Sequence, residues 1–303
     1  MYHRLACAVL CVLAVNAHAG TPIQESRPLA ARGELTIDNL RGRIQVRAWD
    51  RDEVRIEGTL GEGVERLDIT GDASDLAVRV RYLRRAGGMG VFKGADRSEP
   101  TELRLTVPRR VSLAIDSVSA DVDVEGVAGG ELAIDAVSGS VRAVGAPSDA
   151  DIETVSGDIT ATLNSPKVDI DSVSGDLVLR GRLDGEVSVE TVAGDVDIDV
   201  HDAVRVRSLK AAAVSGDVRV RAALAAGGAM EFETVSGDVT LQLPRTTSTR
   251  VEASSFSGSL SATGARVDTP QRGPGRSIDH RYGSGDGRIE IETFSGDARV
   301  VLE

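Results

Sequence analysis

A six-residue motif recurs along most of the chain and constrains the fold more than any other feature. Its pattern is an acidic or small residue, a small residue, Val or Phe, Ser or Ala, Gly or Ala, and Asp or Ser. The copies begin at Asp116, Asp135, Glu153, Asp171, Glu190, Ala212, Glu233, Ser254 and Glu292, and a degenerate copy occupies 38–43. The glycine position advances by 18 to 22 residues per copy, except for a final interval of 38 between Gly258 and Gly296. A fixed period of this size indicates a repeat architecture.

The residues around each copy alternate between apolar and polar, as in Val187, Val189, Val192, Val196 and Ile198. Period-two alternation of β-branched residues is a strand signal. The Ser-Gly-Asp step interrupts the alternation, and these residue types favour a turn. Each unit is therefore predicted to be strand, corner, strand, corner. The Val of the motif is predicted to point inward, and Phe256 and Phe294, which occupy the same position, are then core residues.

A unit of this length cannot bury its apolar face alone, so copies must stack on one another. The sequence predicts an all-β fold, a parallel β-solenoid of about ten short rungs. One solenoid domain is expected over 33–303, less regular over 33–110 and regular over 111–303. The Gly-, Arg- and Pro-rich stretches 82–100 and 269–287 are predicted to be inserted loops, and the latter would account for the doubled final interval.

The first residues have the pattern of a secretory signal peptide. Arg4 precedes the short apolar run 5–15, and Ala17-His18-Ala19 is a small-x-small cleavage site. We expect 1–19 to be removed and 20–32 to be a linker, which leaves no transmembrane segment in the mature chain. The predicted location is the periplasm or the cell surface.

The charge of the chain argues against some partners. The formal net charge is −12, and removing Arg4 with the leader makes it −13. Phosphates attract basic surfaces, so neither nucleic acid nor anionic lipid is an expected partner. Both cysteines, Cys7 and Cys11, lie in the leader, so the mature chain has no thiol or disulfide chemistry.

Stacking would place acidic residues in two columns along the rod. The first column contains Asp116, Asp135, Glu153, Asp171 and Glu190, and the second contains Asp121, Asp158, Asp176 and Asp195. Clustered carboxylates could bind Ca²⁺ weakly, although the glycine-rich nonapeptide of calcium-binding solenoids is absent. The alternative is that these are solvated turn residues. No other cofactor is expected.

The two predicted loops contain the mixture of Arg and aromatic residues that is typical of interface anchors. The candidate partner-binding residues are Tyr82, Arg84, Arg85, Arg272, Arg276, His280, Arg281 and Tyr282. The expected partner is a protein or polysaccharide of the cell envelope.

The serial Glu-Thr-Val-Ser-Gly-Asp copies, the opening segment 35–50 and the signal peptide resemble the bacterial putative-adhesin family of β-strand-repeat proteins, whose function is unknown. The resemblance covers roughly 33–303. It implies a β-solenoid at the cell envelope, and it brings no catalytic residues with it.

Catalysis is not expected from the motif serines. Ala193 replaces the serine in one copy, and the mature chain has only two histidines, His201 and His280, to serve as a base. The sequence favours a non-enzymatic binding, adhesin-like or scaffold module. The alternatives are an envelope-stress accessory protein that contacts a membrane partner and a polysaccharide-active β-helix enzyme.

The calcium hypothesis predicts that millimolar Ca²⁺ raises the melting temperature of the protein, because bound cations would relieve the repulsion within the acidic columns. Differential scanning calorimetry with and without Ca²⁺ measures this. An unchanged melting temperature would dismiss the hypothesis.

Overall fold

The computed structural model of the protein describes residues 20–83, 99–271 and 273–303, which form β-strands without any α-helix. Within these ranges no helix has the length and apolar character needed to cross a membrane. The predicted signal peptide 1–19 lies outside the described residues, as do Arg84, Arg85 and Arg272.

Most strands, numbered in chain order, stack in parallel as two facing rows. The first row contains, in spatial order, β5 (Asp75–Tyr82), the first half of β2 (Glu34–Trp49), the first half of β7 (Ser112–Ala128), β8 (Glu131–Ser138), β10 (Asp149–Ser156), β12 (Lys167–Ser174), β14 (Glu186–Ala193), β16 (Val206–Ser215), β18 (Leu224–Ser236), β23 (Gly287–Thr293) and β20 (Thr249–Ser255).

The second row contains, in the same order, β6 (Thr101–Pro108), the second halves of β2 and β7, β9 (Val141–Ala146), β11 (Ile159–Leu163), β13 (Leu177–Gly181), β15 (Val196–Val200), β17 (Val218–Arg221), β19 (Val239–Leu243), β24 (Ala298–Leu302) and β21 (Leu260–Ala262). The apolar core lies between the two rows.

This arrangement confirms the predicted β-solenoid. Each rung contributes one strand to each row, and the motif forms the corner between them. The degenerate copy at 38–43 is in register with the copy at 116–121. The rungs number eleven, one more than the motif copies, because β5 and β6 form a rung that contains no motif.

The order of stacking differs from the order of the chain at both ends of the solenoid. The rung of β2, first in the chain, lies between the β5–β6 rung and β7. The last rung, β23–β24, lies between β18–β19 and β20–β21. The expectation that every copy stacks on its predecessor is therefore wrong for the copy at 254–259.

Antiparallel strands cover the outermost rungs. β4 (Val64–Gly71) pairs with β5 and β22 (Arg276–Tyr282) pairs with β20. β3 (Glu53–Leu60) pairs with β6, and β1 (Thr21–Pro28) pairs with β3. Pairing of this kind occupies backbone groups that would otherwise be open to another chain.

Two sequence predictions are corrected by these strands. The predicted linker 20–32 contains β1, and the predicted loop 269–287 contains β22. Both strands are mostly exposed and alternate weakly, with only Ile23 buried in β1 and Ile278 and Tyr282 in β22. A strand at the edge of a sheet needs little apolar patterning, so flanking Pro and Gly residues concealed both.

The prediction that the motif Val points inward is also wrong. In β10, Ile152 and Thr154 are buried whereas Val155 is 49% exposed. Phe256 and Phe294 are likewise exposed, not core. The alternation of the upstream strand continues to the small residue before Val, so that residue points inward and Val points outward.

In some rungs the small inward residue forms a hydrogen bond to the backbone of the corner. Thr234 and Thr293 donate hydrogen bonds from Oγ1 to the carbonyl oxygens of Gly237 and Gly296, at 3.0 and 2.9 Å. A buried carbonyl needs such a partner. Most corners require glycine, because a Cβ on Gly175 (φ +122°) would lie 2.4 Å from the carbonyl oxygen of Gly157 in the next rung. Ala120 fills this position in β7, which runs through its corner as one continuous strand.

We predict opposite outcomes for two neighbouring substitutions in β12. Ile170→Asp should abolish cooperative unfolding or cost more than about 4 kcal/mol, because it buries an unpaired charge. Val173→Asp should cost less than about 1 kcal/mol, because Val173 is half-exposed at the surface. Chemical denaturation measures both, and a larger loss for Val173→Asp would contradict the inside–outside assignment.

Candidate functional site

The outward residues of the motif form a continuous apolar row along one corner of the solenoid, which we call the ladder. Its members in spatial order are Leu40, Val118, Val137, Val155, Val173, Val192, Val214, Val235, Phe294 and Phe256. Twelve large apolar residues are exposed in the described chain, and all but Leu83 and Val267 belong to the ladder. Exposed apolar surface is thus concentrated in one place and not scattered.

An acidic column runs beside the ladder, two residues earlier in each rung. Its acidic members are Asp38, Asp116, Asp135, Glu153, Asp171, Glu190, Glu233 and Glu292, and Ala212 and Ser254 occupy the two remaining rungs. The small inward residues lie between the two columns. Most rungs contribute one residue from each column to the lining of a single groove of about 1270 Å³.

The groove extends over most of the solenoid. With about 4.8 Å between neighbouring rungs, the nine steps of the ladder span about 43 Å. Contiguous exposed apolar surface of this extent marks an interaction site in soluble proteins. The groove is therefore the candidate functional site.

Partial burial and repulsion raise the pKa of three members of the acidic column. The pKa of Asp171 lies above its ordinary value because of desolvation and then because of Asp169, Glu190 and Glu153. Desolvation and Asp116 likewise raise the pKa of both Asp135 and Asp38. The column is therefore a strip of negative charge that would be stabilised by cations.

Few basic side chains of the chain itself compensate this strip. Within the described ranges, Glu190 alone among the eight acids forms an ion pair, with Lys210 Nζ at 2.6 Å. Elsewhere on the surface pairs are common, such as Arg47 with Asp123 at 2.6 Å and Arg250 with Asp279 at 2.6 Å. The groove is thus flanked by carboxylates that the protein leaves largely unpaired.

One end of the groove is aromatic. The rings of Phe256 and Phe294 are stacked, with centroids 4.9 Å apart and planes within 3° of parallel. The two rungs that carry these residues are neighbours in the stack, with the rung of Phe294 next to that of Val235. Arg276 of β22 lies at the same end, where its Nη1 donates hydrogen bonds to Gly258 O and Ser259 Oγ, both at 3.2 Å.

The second acidic column has a structural role. Asp158 Oδ1 accepts a hydrogen bond from the backbone N–H of Asp176 at 3.0 Å, and Asp176 Oδ1 accepts one from Asp195 at 3.0 Å. The same bond joins Asp121 to Ser140 at 3.1 Å. These carboxylates link successive corners along the rod.

The geometry gives the calcium hypothesis no support. In the parts of the chain that the structure describes, no three acidic or histidine side chains converge as a metal site would require. The first column contains the candidates Asp116, Asp135, Glu153, Asp171 and Glu190, and the second contains Asp121, Asp158, Asp176 and Asp195. Binding of Ca²⁺ to either column stays a prediction.

The structure disperses the predicted partner-binding residues. Tyr82 Oη donates to Asn39 Oδ1 at 2.7 Å, and the buried Tyr282 donates to Thr263 O at 2.7 Å, so both have structural hydrogen bonds. His280 packs edge-on against Tyr282, and Arg281 is exposed on β22. Arg276 alone of these lines the groove.

Sequence reasoning missed the ladder itself. The signal was present in the motif: a small residue always precedes the Val or Phe, and a corner cannot place two consecutive side chains inside. Counting back from the upstream Ile would have shown that the Val falls on the outer face.

No catalytic group is assembled around the motif serines in the described residues. His201 Nδ1 accepts a hydrogen bond from the backbone of Ala203, and His280 packs on Tyr282. Neither histidine has a hydrogen bond to a serine of the motif within the described ranges. A seryl nucleophile would need such a base within reach.

These features define a class of protein: a β-solenoid whose motif residues line one lengthwise groove. The chain belongs to the Toastrack DUF4097 family, whose model matches residues 32–301. No curated protein matches the sequence.

Solved structures share the fold at low sequence identity. A putative adhesin from Parabacteroides distasonis is 14% identical, with a TM-score of 0.52 over 93% of this chain and 98% of that one. A putative lipid binding protein from the same species is 12% identical, with a TM-score of 0.51 over 93% of this chain and 97% of that one.

The acidic column predicts an unusual dependence of stability on pH. Asp171→Asn should stabilise the protein at pH 7 by less than about 1 kcal/mol, since it removes a repelled but largely solvated charge. Because the folded-state pKa of Asp171 is raised, its destabilising effect is present above that pKa and disappears as the pH falls through it. The gain should therefore vanish in acid.

Asp123→Asn is the matched control, and it should destabilise the protein at pH 7, where Asp171→Asn should stabilise it. The hydrogen bond from Arg47 lowers the pKa of Asp123, so its stabilising effect is present above the unfolded pKa and is lost as the pH falls through the folded one. Urea denaturation of both variants between neutral and acidic pH measures this. If both variants changed the free energy of unfolding at neutral pH in the same direction, the electrostatic effects assigned to Asp171 and Asp123 would be refuted.

Proposed function

We propose that the protein is a non-enzymatic, exported binding module of the cell envelope that holds its ligand in the lengthwise groove. The observation that carries this proposal is the ladder, a row of half-exposed Leu, Val and Phe residues that contains ten of the twelve exposed large apolar residues in the described chain. An apolar row of this length is unfavourable in water unless something covers it.

The sequence and the comparisons support the other parts of the proposal. The pattern of 1–19 favours export, and the net charge disfavours nucleic acid as a ligand. Two solved structures with the same fold bear the names putative adhesin and putative lipid binding protein, both of which denote binding and not catalysis.

The solenoid is suited to this function because its corner is rigid. In the central rungs the motif residues on both sides of the ladder Val are paired with the rungs above and below, as Thr154 is with Ala136 and Ser172 and Ser156 is with Ser138 and Ser174. Binding therefore requires little ordering of the groove, which reduces the entropic cost of association.

Binding by the groove can be tested with the neutral apolar dye Nile red. We expect its fluorescence to rise with the wild-type protein and to fall about fivefold when Val155, Val173 and Val192 are all replaced by Ser, because the dye loses its apolar contacts. These residues are surface-exposed, so the triple variant should keep its melting temperature.

Val267→Ser is the matched control, since Val267 is exposed but lies outside the ladder. It should leave the dye signal unchanged. A signal that is absent from the wild-type protein, or equal in all three proteins, would reject the groove as the binding site.

A further inference from the structure

The groove combines two properties over most of its length, an apolar row and a parallel row of carboxylates, of which Glu190 alone has an ion pair within the described residues. A ligand that satisfies both must present apolar groups on one side and positive charges next to them. From this pairing we infer that the groove binds a basic amphipathic α-helix of a partner protein or peptide. The inference rests on the proposed function and specifies the chemistry of the ligand.

The charge of the groove excludes simpler occupants. A second copy placed groove to groove would bring a second acidic column into the interface and no basic row to neutralise either column, which repulsion opposes. An anionic headgroup would be repelled in the same way. An acyl chain would cover the ladder but would leave Glu153, Asp171 and their neighbours uncompensated beside an apolar ligand.

The backbone geometry favours a helix over an extended peptide. The strands beneath the groove are central in the first row, so neighbouring rungs already occupy their backbone N–H and C=O groups. An extended peptide lying across them would find no backbone partners, and unpaired buried backbone groups are costly. A helix satisfies its own backbone and offers only side chains, as in other helix-in-groove complexes.

The rise per turn of a helix and the spacing between rungs determine how long a helix the groove can bind. A helix advances about 5.4 Å per turn, close to the 4.8 Å between rungs, so one apolar side chain per turn can meet one step of the ladder. The mismatch of about 0.6 Å per turn reaches half a step after about four turns. Four to five turns, or about 15 to 18 residues, should therefore capture most of the affinity.

The central rungs of the solenoid match a basic amphipathic helix best. Val155, Val173 and Val192 are half-exposed and adjacent, and Glu153 and Asp171 beside them form no ion pair within the described part of the chain. Lys or Arg residues flanking the apolar face of a helix would reach these carboxylates. Binding would also relieve the mutual repulsion that already exists within the column.

The test uses a peptide of about 18 residues of Leu and Lys, patterned with Leu on one helical face, and a matched peptide with Glu in place of Lys. Fluorescence anisotropy with the purified protein should show binding of the Lys peptide alone. Its affinity should fall as salt rises from about 50 to 500 mM, because screening weakens the contacts with the acidic column.

Two sets of variants separate the contribution of the acidic column to binding from that of the ladder. Glu153→Gln, Asp171→Asn and Glu190→Gln together should raise the Kd for the Lys peptide about tenfold and weaken its salt dependence. The Val155, Val173 and Val192 to Ser triple should also raise the Kd about tenfold but preserve the salt dependence. Glu62→Gln, Glu102→Gln and Asp184→Asn, which remove the same charge outside the groove, should change little.

The possible failures are distinguishable. If Nile red binds at the ladder but the Lys peptide does not bind, the helix inference is wrong and the proposed groove function stands. Equal binding of the Glu peptide, or binding unaffected by the groove variants, would likewise overturn the inference. Binding of neutral phosphatidylcholine vesicles in preference to the Lys peptide would replace a helix with a lipid. Failure of both the dye and the peptide would reject the proposed function as well.

Discussion

The in-register stacking of rungs is the constraint on which the rest of the structure depends. Each strand of the central rungs pairs with the strand above and the strand below, so residues at equal positions form columns along the rod. A column repeats the chemistry of one residue many times. Inside, this gives stacked Ile and Val. At most corners it requires glycine, since a Cβ would meet the carbonyl of the next rung. Outside, it turns one Val per rung into the ladder.

A column also repeats an unfavourable interaction, such as repulsion between carboxylates, at every rung. Carboxylates in the second column avoid this penalty because each accepts a backbone hydrogen bond from the next corner, as Asp158 does from Asp176. Carboxylates in the first column accept no such bond from the described residues, and partial burial together with the repulsion of neighbouring carboxylates raises the pKa of Asp135 and Asp171. The difference separates a column that links corners from one whose carboxylates line the proposed binding groove beside the ladder.

The ends of the solenoid show how the fold terminates. Both terminal rungs of the chain lie inside the stack, and antiparallel strands such as β4 and β22 cover the rungs outside them. The insertion of β23–β24 also determines the order of the ladder at this end, since it places Phe294 between Val235 and Phe256.

The sequence by itself determined the solenoid, its corners and the columns, because a repeated motif with period-two flanks leaves few other ways to bury its apolar face. It did not determine the stacking order at the ends, which depends on pairing between segments far apart in the chain, such as Gly237 and Gly296. It did not reveal β1 and β22, because edge strands need little apolar patterning. Whether the motif Val points inward or outward was decided by the tertiary structure, since the corner has room for only one of two consecutive side chains, and the small residue before the Val occupies it.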